Sequence, residues 1–194
     1  MRIGLFIGIS SDSDFDLNQL VSFGKDAEAR GFDSLWMPNV FGYDAVSACA
    51  ILGWETDHIE LGTAVTPTYP RHPGALAQQA LTTQAACGGR FALGIGLSHQ
   101  LVIEGMYGLS YARPARHMKQ YLEVIAPLLR GEAADYEGED ITGKLALKAP
   151  GADPVPLLVA ALGPAMLKLA GTMAHGTTTW MTGPKTIAEH IVPG

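Results

Sequence analysis

One pattern recurs six times along the chain: a short apolar run, small or polar residues at its C-terminal end, then a helix-length segment. The apolar runs are residues 3–9, 34–37, 59–65, 91–96, 155–160 and 177–181. Between them, residues 18–30 carry near-helical apolar spacing and close at Gly31, where glycine suits a helix C-terminus. Asp44 can cap a helix over 45–52, and His72-Pro73 opens one that runs to Ala86. Further helices are predicted over 114–130, with a kink at Pro127, over 164–174, and from Ile187 onward. Strands joined in series by helices cannot pair as hairpins. They form a parallel sheet with helices on its faces, an open doubly wound sheet or a barrel.

Residues 131–153 break the rhythm. They begin acidic, and Thr142-Gly143 separates two short extended pieces, which predicts a hairpin-like excursion from the main sheet.

The length of 194 residues and a 47% hydrophobic content suffice for one sizeable core. A formal net charge of −6 without a basic run argues against wrapping nucleic acid. The first apolar run is too short to cross a membrane and lacks a signal-cleavage pattern. Cys49 and Cys87 stand apart, with no metal-ligand spacing, and read as buried free thiols. Together these features predict a cytoplasmic protein that acts on a small molecule, without membrane or nucleic-acid partners and without a metal.

The motifs narrow the chemistry. No G-x-G-x-x-G follows the first strand, Gly94-Ile-Gly96 lacks a third glycine, and no P-loop occurs. That favours a barrel over a dinucleotide-binding fold. No G-x-S-x-G, HExxH or strand-end carboxylate pair supports a hydrolase or metalloenzyme. In a barrel the active site lies at the C-terminal ends of the strands. That rule selects Ser10, Ser11, Asn39, Ala64 to Thr66, Ser98, His99, Ala161 to Gly163 and Trp180 to Thr182. They are mostly small, hydroxylic or aromatic, a set suited to a planar ligand with polar edges. Gly94 and Gly96 read as places where a ligand approaches the backbone. His99 can donate a hydrogen bond or shuttle a proton near neutral pH. Gly163-Pro164 opens a helix whose free amide groups suit a phosphate, with Arg113 and Arg116 able to reach it only through the fold. The other histidines have structural readings: His58 on the bottom face, His72 as a cap, His175 at a helix end, His117 and His190 on helix surfaces.

Six pieces in order resemble the bacterial luciferase-like monooxygenase family, most closely its oxidoreductases that use the deazaflavin factor 420. They are Gly31-Phe-Asp-Ser-Leu-Trp36, Leu61-Gly-Thr-Ala-Val-Thr-Pro67, Arg71-His-Pro73, Gly89-Arg-Phe-Ala-Leu-Gly-Ile-Gly96, Arg113-Pro-Ala-Arg-His-Met118 and Leu162-Gly-Pro-Ala-Met-Leu-Lys-Leu-Ala-Gly171. The resemblance implies a TIM (β/α)8-type barrel over residues 1–194, cut after six βα units, since such barrels take about 250 residues. It implies reduced deazaflavin as cofactor, with FMN as the alternative, bound across the strand ends for hydride transfer or oxygen insertion on a small organic substrate. Ala64-Val65 matches a bulge, often a non-proline cis peptide, behind the ring; Thr66 follows it. Ser98 and His99 match residues beside the ring, with His99 as the proton or hydrogen-bond donor. Leu162 and Gly163 match the phosphate turn, and Trp180, Met181 and Thr182 the strand-6 wall. Asn39-Val40 departs from the acidic residue and histidine that the family commonly places after strand 2. The edges left by a six-unit sheet point to a second possibility: a truncated, non-catalytic fragment that binds cofactor weakly or only pairs with another chain, for instance in a homodimer.

Overall fold

A computed structural model describes residues 2–8 and 15–193. Ser10 and Ser11 lie outside the described residues.

The main sheet is parallel and curled, in the order β1 (Gly4–Phe6), β2 (Ser34–Met37), β3 (Glu60–Thr63), β5 (Phe91–Gly96), β8 (Leu157–Ala160) and β9 (Gly176–Thr178). Register follows the sequence alternation. Leu5 pairs with Leu35, Leu35 with Leu61, and Leu61 with Phe91. Leu35, Leu61, Phe91, Leu93, Ile95, Leu157 and Val159 are buried beneath the helices. Residues one step out of phase face the barrel interior, because side chains alternate along a strand. That interior row is thin: Gly4, Ser34, Gly62, Ala92, Gly94, Gly96 and Ala160, interrupted by Phe6, Trp36 and Leu158.

Helices α1 (Leu17–Ala29), α2 (Ala45–Glu55), α3 (Pro73–Ala86), α5 (Pro114–Leu129) and α6 (Pro164–Met173) pack side by side over the outer face. Their starts carry the caps that the sequence advertises. Asp16 forms a capping box with Gln19, and the Asp44 carboxylate accepts the Ser47 amide at 2.8 Å. His72 Nδ1 accepts the Gly74 amide at 3.2 Å, and its Nε2 donates to the Thr142 carbonyl at 2.9 Å. Pro127 falls in the last turn of α5, which continues to Leu129.

Two stretches differ from the expected rhythm. The third apolar run is not one strand. β3 stops at Thr63, the Ala64-Val65 peptide is cis, and β4 (Thr66–Pro67) resumes pairing with β5. Between the two, the Thr63 hydroxyl donates to the Gly94 carbonyl at 2.7 Å, and the Gly94 amide returns to the Thr63 hydroxyl at 2.9 Å. A side chain thus replaces the missing ladder bonds. The second difference is a short helix, α4 (Gln100–Gly105), directly after His99.

Residues Ala134–Glu137 (β6) and Thr142–Leu145 (β7) pair antiparallel outside the main sheet. Thr142-Gly143 lies in the second strand, not in the turn, because Gly143 must pass over Val124 of α5 where a side chain would collide. The turn is held by Gln120 of α5, whose carbonyl oxygen accepts the amides of Asp140 and Ile141 at 3.0 and 3.1 Å. Among the described residues, no helix is long and apolar enough to cross a membrane.

Candidate active site at the strand ends

At the C-terminal end of the sheet two adjoining cavities open, of about 500 and about 380 Å³. They share Val65, Ser98, His99 and Trp180, so they form one cleft. Asn39, Val40 and Ala64 line one end; Ala160, Leu162 and Thr182 line the other. No lysine, arginine, aspartate or glutamate is among the described residues of its walls.

The cleft is shaped by the bulge. Val65 leans over β5, and a methyl group at Gly96 would meet the Val65 side chain, while one at Gly94 would meet the Thr63 carbonyl oxygen. The two glycines therefore make room for the neighbouring strand. Gly96 also lines the larger cavity, whereas Gly94 lines neither.

Beyond β5, Ser98 takes a left-handed conformation, φ 61°, uncommon for a residue with a side chain. Its carbonyl accepts the Tyr111 hydroxyl at 3.1 Å. His99 follows as the N-terminal flank of α4; its imidazole is exposed to the cleft and makes no cap hydrogen bond. Asn39 lines the cleft while its side-chain oxygen accepts the Ala45 amide at 3.0 Å. Trp180 is 72% exposed, beyond the end of β9, with Phe6 at 5.4 Å between ring centroids. The Leu162 carbonyl accepts from His190 Nε2 at 2.8 Å. The Thr182 hydroxyl donates to the Trp180 carbonyl at 3.1 Å.

Three of the selected residues are not cavity walls. Thr66 is fully buried, and its hydroxyl has no hydrogen-bond partner among the described residues. Met181 projects outward at 88% exposure, with φ 48°. Gly163 is the N-terminal flank of α6, one residue past the Leu162 wall. Arg113 and Arg116 do not approach it: both pair with Glu139 in the hairpin turn, and Arg116 also with Asp140 at 2.9 Å.

The sequence reading missed Tyr111 and misplaced His117. His117 is half-buried. Its ring stacks on Tyr69 at 3.9 Å and 3°, its Nε2 meets the Thr68 hydroxyl at 3.0 Å, and burial lowers its pKa against the opposing pull of Asp140. Burial pushes the Tyr69 phenol up to about 12. His117 and Tyr121 stand four residues apart on one face of α5, but no spacing in the sequence ties Tyr69 or Tyr111 to them.

A family model described as luciferase-like monooxygenase matches residues 1–193. The chain belongs to the luciferase-like monooxygenase family. Among relatives, it is 32% identical over 171 residues to a 5,10-methylenetetrahydromethanopterin reductase of Methanolobus tindarius, covering 86% of this chain and 51% of that protein. It is 34% identical over 209 residues to an F420-dependent glucose-6-phosphate dehydrogenase of Microbacterium testaceum, covering 100% of this chain and 62% of that protein. These luciferase-like relatives are named oxidoreductases, and the chain spans between half and two thirds of their length. In fold it matches the F420-dependent tetrahydromethanopterin reductase of Methanopyrus kandleri with a TM-score of 0.76, at 26% identity over 92% of this chain and 55% of that one. It matches an F420-dependent secondary alcohol dehydrogenase, solved with an F420-acetone adduct, with a TM-score of 0.81 at 20% identity, over 99% of this chain and 62% of that one. The architecture is that of a luciferase-like barrel over six of its strands.

Proposed function

We propose that this chain is the cofactor-holding part of an F420-dependent oxidoreductase that passes a hydride between the deazaflavin and a small organic substrate. The observation that carries this reading is the cleft itself. Its floor is the Ala64-Val65 bulge laid against Gly94 and Gly96, and Ser98 and His99 stand beside it. Relatives named as F420-dependent glucose-6-phosphate dehydrogenases, at 33–34% identity across most of the chain, support it.

The residues present fit such a group. A flat ring needs a smooth backing, which Val65 and Ala64 provide, and an opposing wall, which Trp180 and Phe6 provide. The amide groups of the first turn of α6, past Gly163-Pro164, suit a phosphate, because helix N-termini leave their first N–H groups unpaired. The deazaflavin, when bound, supplies a two-electron hydride carrier that does the redox chemistry. The chain's own work is to orient and to exclude water. Apolar walls displace solvent from the bulge, and the His99 imidazole holds or delivers a proton at the substrate side. Asn39, held by its bond to Ala45, offers amide hydrogens rather than a titratable group at the position after β2.

Titration of the chain with oxidised factor 420, followed by its absorbance and fluorescence, tests this, with FMN in parallel. Saturable spectral change with factor 420, weakened about tenfold or more in Trp180→Ala, is the expected result. No spectral change at near-millimolar cofactor sinks the proposal for this chain, and a response to FMN alone reassigns the cofactor.

A further inference from the structure

A closed circuit of contacts surrounds the C-terminal end of β5. The Thr68 amide donates to the Gly96 carbonyl at 2.9 Å. The Thr68 hydroxyl meets His117 Nε2 at 3.0 Å. His117 stacks on Tyr69 at 3.9 Å, Tyr69 stacks on Tyr111 at 5.2 Å and 28°, and the Tyr111 hydroxyl donates to the Ser98 carbonyl at 3.1 Å. Ser98 is two residues from Gly96, so the circuit returns to its start. Each element enters from a different segment: the loop after β4, the start of α5 and the linker that precedes it. Tyr111 also lines the larger cavity, while nothing in the proposed redox chemistry uses His117 or Tyr69.

The circuit encloses the one backbone position between β5 and His99 that a side-chain-bearing residue rarely occupies, Ser98 at φ 61°. That region is disfavoured for a seryl residue, and a fixed hydrogen-bond partner helps to hold it there. The Tyr111 hydroxyl is the hold, and the stack behind it fixes the direction of the Tyr111 ring. We infer that Tyr111 is a positioning residue: braced by Tyr69 and His117, it keeps Ser98 in the left-handed conformation that aims His99 into the cleft. The hold exists without a ligand; its effect on cofactor binding rests on the function proposed above.

The stack stays uncharged near neutral pH, because burial lowers the His117 pKa and raises those of Tyr69 and Tyr111. Arg116 and Asp140 line a small cavity beside Tyr69 and His117, and the two are paired with each other at 2.9 Å.

Tyr111→Phe isolates the hold, for it keeps the ring and removes one hydroxyl. Amide hydrogen exchange of the unliganded chain reads the brace directly at Val102 and Ile103, both of which bond the His99 carbonyl at 3.0 Å. Loss of one hydrogen bond should speed exchange there about fivefold and leave the buried middle of α5 unchanged. Unchanged exchange at Val102 and Ile103 overturns the inference, whether or not cofactor binds. Binding of oxidised factor 420 reads the consequence: affinity should fall about fivefold in Tyr111→Phe, with the thermal midpoint lowered by no more than about 4 °C. In a Ser98→Gly background, where positive φ carries no steric penalty, the same change should cost less than about twofold. An equal loss in both backgrounds means that Tyr111 contacts the ligand itself, and the positioning role is wrong. A wild-type chain that takes up no factor 420 refutes the proposed function, and the exchange experiment alone then decides the brace.

Discussion

The two ends of the same sheet are built on opposite terms. At the N-terminal end side chains take up backbone groups near several strand starts. The Glu28 carboxylate accepts the amides of Asp57, His58 and Ile59 at 2.5–3.0 Å. The Arg90 guanidinium donates to oxygens of Gly53, Thr56 and Ile59 at 2.6–3.3 Å, closing the end of α2 onto β3. Gln84 accepts the Phe91 amide at 2.8 Å. At the C-terminal end lie the interrupted third strand and, beyond β2, β5 and β9, the left-handed residues Phe41, Ser98 and Met181. Large apolar side chains stand in solvent there, Trp180 and Leu162 among them. One end is a fastening and the other a surface for something to be laid upon. In barrels of this kind stability is read at the bottom and function at the top.

The largest expected effect tests the fastened end. Arg90→Ala strips charge-assisted bonds from several carbonyls and should cost about 3 kcal/mol in urea unfolding. The cleft should keep its cofactor affinity, and a loss of binding at full folding would mean that the ends are not separable. Gly94→Ala probes the boundary. The added methyl meets the Thr63 carbonyl, so the bulge must shift; about 1–3 kcal/mol of stability and most of the cofactor affinity should go together. A variant that loses stability but binds normally would detach the bulge from the site.

Acidification should separate the ends by pH. The folded pKa of His117 lies below its ordinary 6.5, so the unfolded chain takes up that proton first. The contribution of neutral His117 is complete above about 6.5 and is lost as pH falls below it toward the folded value. Burial of Glu28 opposes ionisation, but the three amide bonds outweigh it and hold its pKa below the ordinary 4.5. Its contribution is complete above 4.5 and disappears as pH falls through the lower folded value. Unfolding free energy measured from pH 8 to 3 should therefore fall in two stages, the upper one absent in His117→Phe. The smallest effect belongs to the top: Trp180→Ala should change stability by less than about 0.5 kcal/mol, because the ring is exposed. A larger drop would show that Trp180 is part of the core.

These contrasts also explain what the sequence revealed. β2 and β5 were legible to the residue, since each is an apolar run between turn residues and pairs on both sides. The cleft walls Asn39, Ser98, His99, Leu162 and Trp180 were legible from strand-end position alone. The split of the third strand was not, because Thr63 replaces a backbone partner with its side chain, and alternation is blind to that exchange. The crowding at Gly94 and Gly96 was hidden for the same reason: the crowding atoms come from Thr63 and Val65 on another strand. His117 looked like a helix-surface residue until the loop carrying Thr68 and Tyr69 folded over it. α4, six residues long, is too short to show a period.

The bond from the Ala45 amide to Asn39 gives the entrance of the cleft a polarity. With its carbonyl oxygen engaged on α2, the carboxamide presents hydrogens to whatever arrives. A carbonyl, ether or ring nitrogen can meet it without losing the partner it had in water, whereas an ammonium or an N–H edge would arrive donor to donor. The loop after β2 thus carries a hydrogen-bond donor that does not titrate.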